Sequence, residues 1–488
     1  MGFAEIAEVR VDPAAARVYE HGWQSWTPTT AYGLQQPAHR PSSGTRRVLC
    51  YRPDRVPPPI GFQGEGLLAV DPGDGGPVLV VATLDASVHM PSIRAEHRQG
   101  RVMVTADGPV ERVEFEVPEP TTPAGPDPGG PGPGALGTGT GAPGDGGAGR
   151  LGRLGAALAA WADRYAERAA VPSPRPAPTV WCSWYHYFTR VTEGDMLENL
   201  DAMDELDLPV EVVQLDDGYQ AEIGDWLELS GRFSSLHELV DRIRQRGRRA
   251  GIWVAPFLVG ERSKLAAEHP DWLVRDATAG RNWDQELRAL DVTHPDAAAW
   301  LGEVFTALAG MGIDYFKIDF VYAGALEGGR HGHADGLAAY RRGVQLIREA
   351  IGPDAYLLGC GAPILPSIGL VDAMRVSPDT APVYEPPDAD LSRPSQRAAV
   401  LTGRGRQWQH GRFWVNDPDC LLARPAVERR EAWAAHVAEV GGLVASSDRL
   451  RDLDQWGLET TRRQLRAVTD VSRVIHEVRG QDGTPTER

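Results

Sequence analysis

Acidic and basic side chains recur at the ends of apolar runs in the second half of the chain. The run YFKIDFVY (315–322) carries Lys317 and Asp319 two positions apart, and residues so spaced share one face of a strand. An ammonium group beside a carboxylate stabilises the ionised form, which suits a nucleophile. Lys264 and Lys317 are the only lysines among 50 basic residues, so lysine is a rare choice here. An ordinary salt bridge is the alternative interpretation.

A second carboxyl group is required if such a nucleophile is to cleave a glycosidic bond. That group donates a proton to the leaving oxygen and then deprotonates the incoming water. Asp379 follows a Ser-Pro pair at the end of another run, and Asp419, beyond an Asp-Pro turn, is its rival. Arg375 lies close to Asp379 and favours its ionised form. Any one of these aspartates taken alone is also typical of a turn or a helix cap.

Aromatic residues accompany the acidic ones. Rings stack on the C–H face of a sugar, whereas aspartate and arginine bind its hydroxyl groups. About half of these rings are expected in the core, and Trp253 is the strongest candidate for a binding role, together with the pair Asp216 and Asp217. The aromatic residues at or just after the first three predicted strands of this half are Trp181, Trp184, Tyr185, Tyr187, Tyr219, Trp226 and Trp253.

Eight apolar runs of strand length alternate with amphipathic helical segments over about 260 residues, which predicts a parallel (β/α)8 barrel. The alternative is an open doubly wound sheet, but no G-x-G-x-x-G turn follows the first run. Because the active site of a parallel barrel lies at the carboxyl ends of its strands, the polar residues there should meet. The predicted strands are 179–188, 210–219, 250–258, 289–293, 315–322, 356–363, 373–380 and 412–419.

The rest of the chain divides by composition. Short β-prone runs broken by proline predict a small antiparallel, sandwich-like β domain over 1–117, including the run RRVLCY (46–51). A segment rich in Pro and Gly, 118–150, is typical of a linker. The remaining predicted parts are a helical lead-in at 151–178, the catalytic barrel at 179–450 and a charged helical tail at 451–488.

Charge and composition limit the partners. A formal charge of −17 disfavours nucleic acid, and no apolar run is long enough to cross a bilayer, so we expect no membrane contact. The first residues lack the pattern of a secretory signal, which predicts a cytoplasmic protein. Four cysteines far apart argue against a disulfide scaffold or a zinc cluster, and His331 and His333 alone are weak ligands. We expect no metal and no cofactor.

The motifs quoted above resemble those of glycoside hydrolase family 36, the α-galactosidases and their relatives. The similarity covers roughly 179–450 and comprises W-C-S-W-Y, D-D-G-Y, K-x-D, C-G-x-P, R-x-x-x-D and N-D-P-D. It implies that Asp319 is the nucleophile and Asp379 the acid/base of a retaining enzyme. It further implies a sugar site made of Asp216, Asp217, Trp253, Arg288, Lys317, Cys360, Gly361, Arg375 and Trp184.

The segment His-Gly-Trp-Gln-Ser-Trp (21–26) is similar to a motif of the same family's N-terminal β domain, where an aromatic residue closes the pocket. Trp23 or Trp26 is the candidate, and Trp23 is included in the predicted site. A core position for both is the alternative.

Several functions fit this resemblance. The first is hydrolysis of terminal α-galactosides, and the second is transfer of galactose to another sugar. Cleavage of α-N-acetylgalactosaminides or other α-glycosides of the clan remains open, as does a sugar-binding protein without turnover. In each case the partner is a small carbohydrate, and an oligomer is compatible with the sequence.

Overall fold

A computed structural model describes residues 2–40, 44–118 and 151–481 of the chain. The predicted linker, 118–150, lies outside the described residues except for its first position, and so do the last seven residues of the predicted tail. No described helix is long and apolar enough to cross a membrane.

Nine antiparallel strands form the N-terminal part, in two sheets ordered β1-β8-β7-β4 and β3-β2-β5-β6-β9. The strands are β1 (Ala4–Arg10), β2 (Arg17–Glu20), β3 (Thr30–Gly33), β4 (Phe62–Glu65), β5 (Leu67–Asp71), β6 (Val78–Thr83), β7 (Ser92–Arg98), β8 (Arg101–Ala106) and β9 (Val110–Phe115). In β6, Leu79 and Val81 pack into the core between the sheets, whereas Val78 and Val80 face the core shared with the rest of the molecule. Burial of both faces explains why this strand is apolar from Val78 to Ala82.

Among the described residues, two α-helices precede the barrel. They are α1 (Gly44–Cys50) and α2 (Arg153–Arg168). Helix α2 buries Leu154, Leu158, Trp161 and Tyr165 at helical spacing. The prediction of a strand at 46–51 is wrong, because α1 occupies that stretch.

The remaining strands are β10 (Thr179–Cys182), β11 (Val212–Leu215), β12 (Arg249–Val254), β13 (Leu258–Gly260), β14 (Gly280–Asn282), β15 (Gln285–Ala289), β16 (Ile313–Ile318), β17 (Tyr356–Gly359), β18 (Ala373–Arg375), β19 (Val415–Asp417) and β20 (Val444–Ser446). Eight of them pair in parallel in the order β19-β18-β17-β16-β12-β11-β10-β20. The backbone N–H of Leu443 donates to Asn416 O at 3.2 Å, which joins the two ends of this sheet. The predicted (β/α)8 barrel after an antiparallel β domain is therefore confirmed.

The helices of this part surround the barrel or cap its strand ends. They are α3 (Trp184–Tyr187), α4 (Glu193–Glu205), α5 (Leu236–Gln245), α6 (Lys264–Glu268), α7 (Pro295–Gly310), α8 (Gly336–Ile351), α9 (Gln396–Gly405), α10 (Arg430–Val440) and α11 (Gln455–Gln481). Side chains suited to capping mark several starts, such as Ser235 before α5 and Asp335 before α8, each accepting a backbone N–H.

One predicted barrel strand was assigned wrongly. The segment 289–293 does not enter the barrel, because β15 pairs antiparallel with β13 and β14 in a small sheet outside it. A parallel crossover needs a helix, and only the five residues of α6 lie between β12 and β15. The crossover helix is α7, so β16 is the fourth barrel strand. The eighth strand is β20, which the sequence analysis did not predict.

A buried arginine, Arg406, fastens the loop 21–27, which lies between β2 and β3, to the barrel. The guanidinium of Arg406 donates to the carbonyl oxygens of Gln24 at 2.8 Å, Ser25 at 2.7 Å and Val376 at 3.1 Å. Burial lowers the pKa of Arg406 to about 9. The contacts hold the loop against the residues that follow β18, beside the barrel mouth.

Candidate active site

The carboxyl ends of three barrel strands, β11, β16 and β18, bring predicted site residues together. Asp216 and Asp217 directly follow β11, and Asp319 directly follows β16. Arg375 is the last residue of β18, and Asp379 lies four positions beyond it. Because parallel strands all end at the same mouth, residues more than a hundred positions apart share one pocket.

Asp319 is buried and faces two donors. The indole Nε1 of Trp253 donates to Asp319 Oδ2 at 3.0 Å, and the backbone N–H of Phe320 donates to Oδ1 at 2.7 Å. Trp253 lies on β12, directly beside Lys317 in the parallel pairing of β12 with β16. The two hydrogen bonds fix the direction of the carboxylate.

Lys317 links two carboxylates of the site. Its Nζ donates to Asp216 Oδ2 at 3.0 Å and lies 4.0 Å from Asp319 Oδ2. Burial opposes the charge of this ammonium group, but the charges of Asp216 and Asp319 outweigh burial and raise the pKa of Lys317 well above its usual value. The lysine is permanently charged and compensates both aspartates.

Substitution of Lys317 by methionine is expected to destabilise the fold by about 3–5 kcal/mol, because it leaves buried carboxylates without a counter-charge. Urea unfolding of both forms measures the change. The second lysine offers a matched control, since Lys264 is exposed and pairs with Glu228 at the surface. Lys264→Met should change the free energy of unfolding far less. Equal effects of the two substitutions would contradict the charge-compensation argument.

Asp216 and Asp217 are both held by amide side chains. Gln214 Nε2 donates to Asp216 Oδ2 at 2.6 Å, and Gln220 Nε2 donates to Asp217 Oδ1 at 2.6 Å. Trp283 Nε1 donates to Asp217 Oδ2 at 2.8 Å. Burial raises the pKa of Asp217 to about 6, and the donors from Gln220 and Trp283 limit that rise. The pair presents carboxylate oxygens suited to accepting hydroxyl groups.

Arg375 organises the opposite side of the mouth. Its guanidinium reaches Asp417 at 3.0 Å, Asp379 at 3.1 Å and Asp419 at 2.8 Å. Burial opposes the charge of Arg375, but the charges of Asp417 and Asp419 raise its pKa well above the usual value. One buried cation thus serves three carboxyl groups.

The structure separates Asp379 from its rival Asp419. Asp419 is fully buried, and it accepts hydrogen bonds from the Tyr185 hydroxyl and from the backbone N–H groups of Thr380 and Cys420. The Asp379 side chain is 33 % exposed. Loss of solvation raises the pKa of Asp379 to about 7, the charge of Asp419 adds to the rise, and Arg375 opposes it. Asp379 is thus the accessible carboxyl group of the two, and its pKa is raised towards neutral pH.

The loop 21–27 places one of its two tryptophans against the pocket. The Trp26 ring lies 4.8 Å from the Phe320 ring, next to Asp319. Gly361 has φ +52°, and a Cβ there would lie 2.8 Å from the Trp26 ring, so the Cys360-Gly361 turn requires glycine. Trp23, the residue included in the predicted site, lies instead beneath Arg52, whose guanidinium carbon is 5.2 Å from its ring centroid.

Two other predicted residues do not join the carboxylates. Trp184 packs edge-on against Phe188, with ring centroids 5.2 Å apart. Arg288 lies on β15, outside the barrel, and the hydrogen bond described for its side chain goes to Val274 O at 3.4 Å. Neither has a hydrogen bond or ion pair to an aspartate of the site among the contacts described.

Two aromatic residues of the site were missed. Trp283 contacts Asp217 from the turn between β14 and β15, and Phe320 follows Asp319 directly. Both follow the third barrel strand in the chain, beyond the aromatic residues that the sequence pattern associates with the site. The Asn-Trp-Asp stretch (282–284) between two short β-prone runs is the signal of a tight turn that would have drawn attention to Trp283.

The two histidines considered as metal ligands lie away from this cluster. His331 packs against His294 with ring centroids 4.7 Å apart, and its backbone N–H donates to Asp291. Within the described ranges, no group of three or more His, Cys, Asp or Glu side chains is arranged to hold a metal ion.

Comparison with known proteins points to one family. The melibiase family model matches residues 172–328. The chain is 30 % identical over 164 residues to the bifunctional α-galactosidase/sucrose kinase AgaSK of Mediterraneibacter gnavus and 30 % identical over 122 residues to the α-galactosidase AgaA of Geobacillus stearothermophilus. These alignments cover 30 % and 23 % of this chain but only 17 % of each relative.

A solved structure is similar over nearly the whole chain. The α-galactosidase TtGalA of Thermus thermophilus, in complex with p-nitrophenyl α-D-galactopyranoside, superposes with a TM-score of 0.74 at 29 % identity, covering 96 % of this chain and 89 % of that one. These similarities support an α-galactosidase-like family, glycoside hydrolase family 36, for this chain. The structure of the family 36 α-galactosidase AgaA of Geobacillus stearothermophilus shares the fold at 14 % identity and a TM-score of 0.59, covering 96 % of this chain and 62 % of that one.

Proposed function

We propose that this protein hydrolyses terminal α-galactosides with retention of configuration, with Asp319 as the nucleophile and Asp379 as the acid/base. The observation that carries the proposal is the contrast between the two carboxyl groups. Asp319 lies 4.0 Å from the Lys317 ammonium nitrogen and accepts the Trp253 indole N–H at 3.0 Å, so its oxygens are held in a fixed direction for attack. Asp379 has a pKa raised to about 7, so it can hold the proton that a leaving oxygen needs.

The proposed reaction has two steps. In the first, an Asp319 oxygen attacks the anomeric carbon while Asp379 transfers its proton to the glycosidic oxygen, and the aglycone leaves as an alcohol. In the second, Asp379, now a carboxylate, removes a proton from water, and the water oxygen displaces Asp319 from the anomeric carbon. Two inversions leave the configuration unchanged.

Recognition of the sugar is proposed for the buried pair Asp216 and Asp217 with Lys317 and Arg375. Buried carboxylates already held by Gln214 and Gln220 are pre-oriented acceptors, so a hydroxyl group binds without reorganisation. Stachyose is bound in another TtGalA structure, which is similar to this chain at 29 % identity. That likeness supports an α-galactoside as the substrate.

A screen of the purified full chain tests this function. Aryl α- and β-glycosides of galactose, N-acetylgalactosamine, glucose and xylose are supplied separately, and release of the aryl alcohol is followed. Turnover of the α-galactoside above all others is expected, with α-galactose as the first anomer seen by NMR. First appearance of β-galactose would contradict retention. Turnover of none of the glycosides would contradict the enzymatic function and favour a sugar-binding protein.

A further inference from the structure

The hairpin between β14 and β15 ends in an unusual turn. Asn282 pairs with Gln285, so the turn has two central residues, Trp283 and Asp284. Both have positive φ, +49° and +55° respectively. Two-residue turns of this kind favour Asn-Gly or Asp-Gly, because side chains with a Cβ are strained there and a large aromatic ring is strained most. The turn therefore keeps a tryptophan at a position where local backbone preference selects against it.

The side chain of Trp283 accounts for this choice. Its neighbours Asn282 and Asp284 are exposed, whereas the Trp283 ring turns inward and is half-buried. Its centroid lies 5.1 Å from that of Phe320 and 6.4 Å from that of Trp253. The ring thus adjoins side chains from the third and fourth barrel strands, on either side of Asp319.

The indole N–H of the same ring fixes a carboxylate. Nε1 donates to Asp217 Oδ2 at 2.8 Å, while Gln220 holds the other oxygen. Strained residues that the surrounding structure holds in place concentrate at functional sites. Here an observed strained turn, a half-exposed ring and a hydrogen bond to a buried carboxylate coincide at the barrel mouth.

We propose that Trp283 is a further substrate-positioning residue, which orients Asp217 through its indole N–H and forms an aromatic wall of the sugar pocket with Phe320 and Trp253. The assignment rests on the proposed function, since it concerns the same pocket. Under this assignment, the small antiparallel sheet of β13, β14 and β15, which lies outside the barrel, contributes to substrate binding. Strain in the hairpin is then retained because the tip contributes to substrate affinity.

Three variants of the full chain separate this role from a structural one. Trp283→Phe keeps a ring beside Phe320 but removes the N–H, and Trp283→Ala removes both. Asp284→Gly is the matched control, because it relieves strain in the same turn without changing the ring. Michaelis constants and kcat for p-nitrophenyl α-galactoside, their dependence on pH, and Tm are measured for each.

Trp283→Phe is expected to raise KM about ten-fold with kcat within about two-fold, the loss typical of a hydrogen bond to a charged group. Trp283→Ala should raise KM further. Asp284→Gly should leave KM unchanged and raise Tm by about 2 °C. A higher Tm with an unchanged KM in Asp284→Gly would show that the turn is strained. It would also show that relieving this strain does not change substrate affinity as long as Trp283 is present.

The pH dependence of kcat/KM distinguishes the positioning role of Trp283 from a role in packing, because a loss of packing alone would not shift it. A sugar hydroxyl donates to ionised Asp217, so kcat/KM should fall as pH drops below about 6. The charged groups that act on Asp217 are Asp216 and Asp319, and neither changes in Trp283→Phe. Removing the N–H destabilises the carboxylate, so the acid limb should move to higher pH. The limb set by Asp379 should stay in place.

Different results overturn different claims. Wild-type KM and an unmoved acid limb in Trp283→Phe would overturn the positioning role, while turnover by the wild type would still support the proposed function. Absence of turnover by the wild type on every glycoside would overturn both. Should Trp283→Phe fold poorly, the double variant with Asp284→Gly restores stability and gives the same comparison.

Discussion

Replacing Asp319 by asparagine is expected to lower kcat/KM for an aryl α-galactoside by at least about 10⁴-fold. Asparagine has nearly the same shape, and its single side-chain oxygen can still accept one of the two N–H groups that contact Asp319, from Trp253 or from Phe320, so the pocket should persist. It cannot attack the anomeric carbon as a carboxylate does, and a substrate with a good leaving group cannot compensate for a missing nucleophile. Steady-state kinetics of the purified variant measure the loss of kcat/KM, and its Tm tests whether the fold persists.

A matched control and a trapping experiment sharpen the assignment. Asp207 is an exposed surface aspartate, so Asp207→Asn should have wild-type activity. A 2-deoxy-2-fluoro galactosyl fluoride should form a stable ester with the wild type, and the modified peptide identified by mass spectrometry should contain Asp319. Modification of a different aspartate, or activity of Asp319→Asn within ten-fold of wild type, would contradict the role of Asp319 as nucleophile.

The positions of the polar residues could be predicted because they depend on a local pattern. A buried strand is an uninterrupted apolar run, and the charged residue that ends it marks the barrel mouth. Lys317 with Asp319 and Arg375 with Asp379 follow this pattern. The inference needed only that the strands be parallel and belong to one barrel, so an error in assigning two of the strands did not affect it.

The strand count failed where length and pairing decide the structure. The segment 289–293 and the strand β20 are both short apolar runs, and their composition does not reveal which partner they pair with. In the small antiparallel sheet, the pairing of β13 with β15 joins residues about thirty positions apart. The run 46–51 likewise became a helix, with the carbonyls of Leu49 and Cys50 accepting hydrogen bonds from the side chains of Gln24 and Thr27.

Side chains from outside the barrel were the hardest to predict. Trp26 and Trp283 reach the pocket only because two separate loops fold over the mouth, one fastened by Arg406 and the other strained at its turn. No periodic pattern encodes such approaches. The choice of Trp23 in the sequence analysis and the omission of Trp283 have this same cause, since both depend on tertiary contacts.

The choice between Asp379 and Asp419 also required the structure. Both aspartates follow strand ends near a proline, and both contact Arg375. They differ in exposure to solvent and in the hydrogen-bond donors around them. Tyr185, Thr380 and Cys420 donate to Asp419, and only the tertiary structure brings these donors together. An aspartate whose oxygens are all occupied holds the fold together, whereas a partly exposed one with a raised pKa can exchange protons with a ligand.

Replacing Asp379 by alanine is expected to separate two classes of substrate. A disaccharide such as melibiose has a poor leaving group and should lose about 10²–10⁴-fold in kcat/KM without the proton donor. A dinitrophenyl galactoside leaves without protonation, so kcat/KM for it should stay near the wild-type value. Its kcat should fall because the second step lacks a base, and added azide should restore turnover and yield α-galactosyl azide.

The pH dependence of kcat/KM for melibiose supplies an independent criterion. Asp379 must be protonated to act as the acid, so wild-type activity should fall as pH rises through about 7, and the variant should lack that limb. Glu385→Gln, at an exposed position in the loop that follows, should keep the wild-type profile. Equal losses on both substrates in Asp379→Ala, or a basic limb that persists, would remove Asp379 from the acid/base role and leave its carboxyl group as a ligand of Arg375.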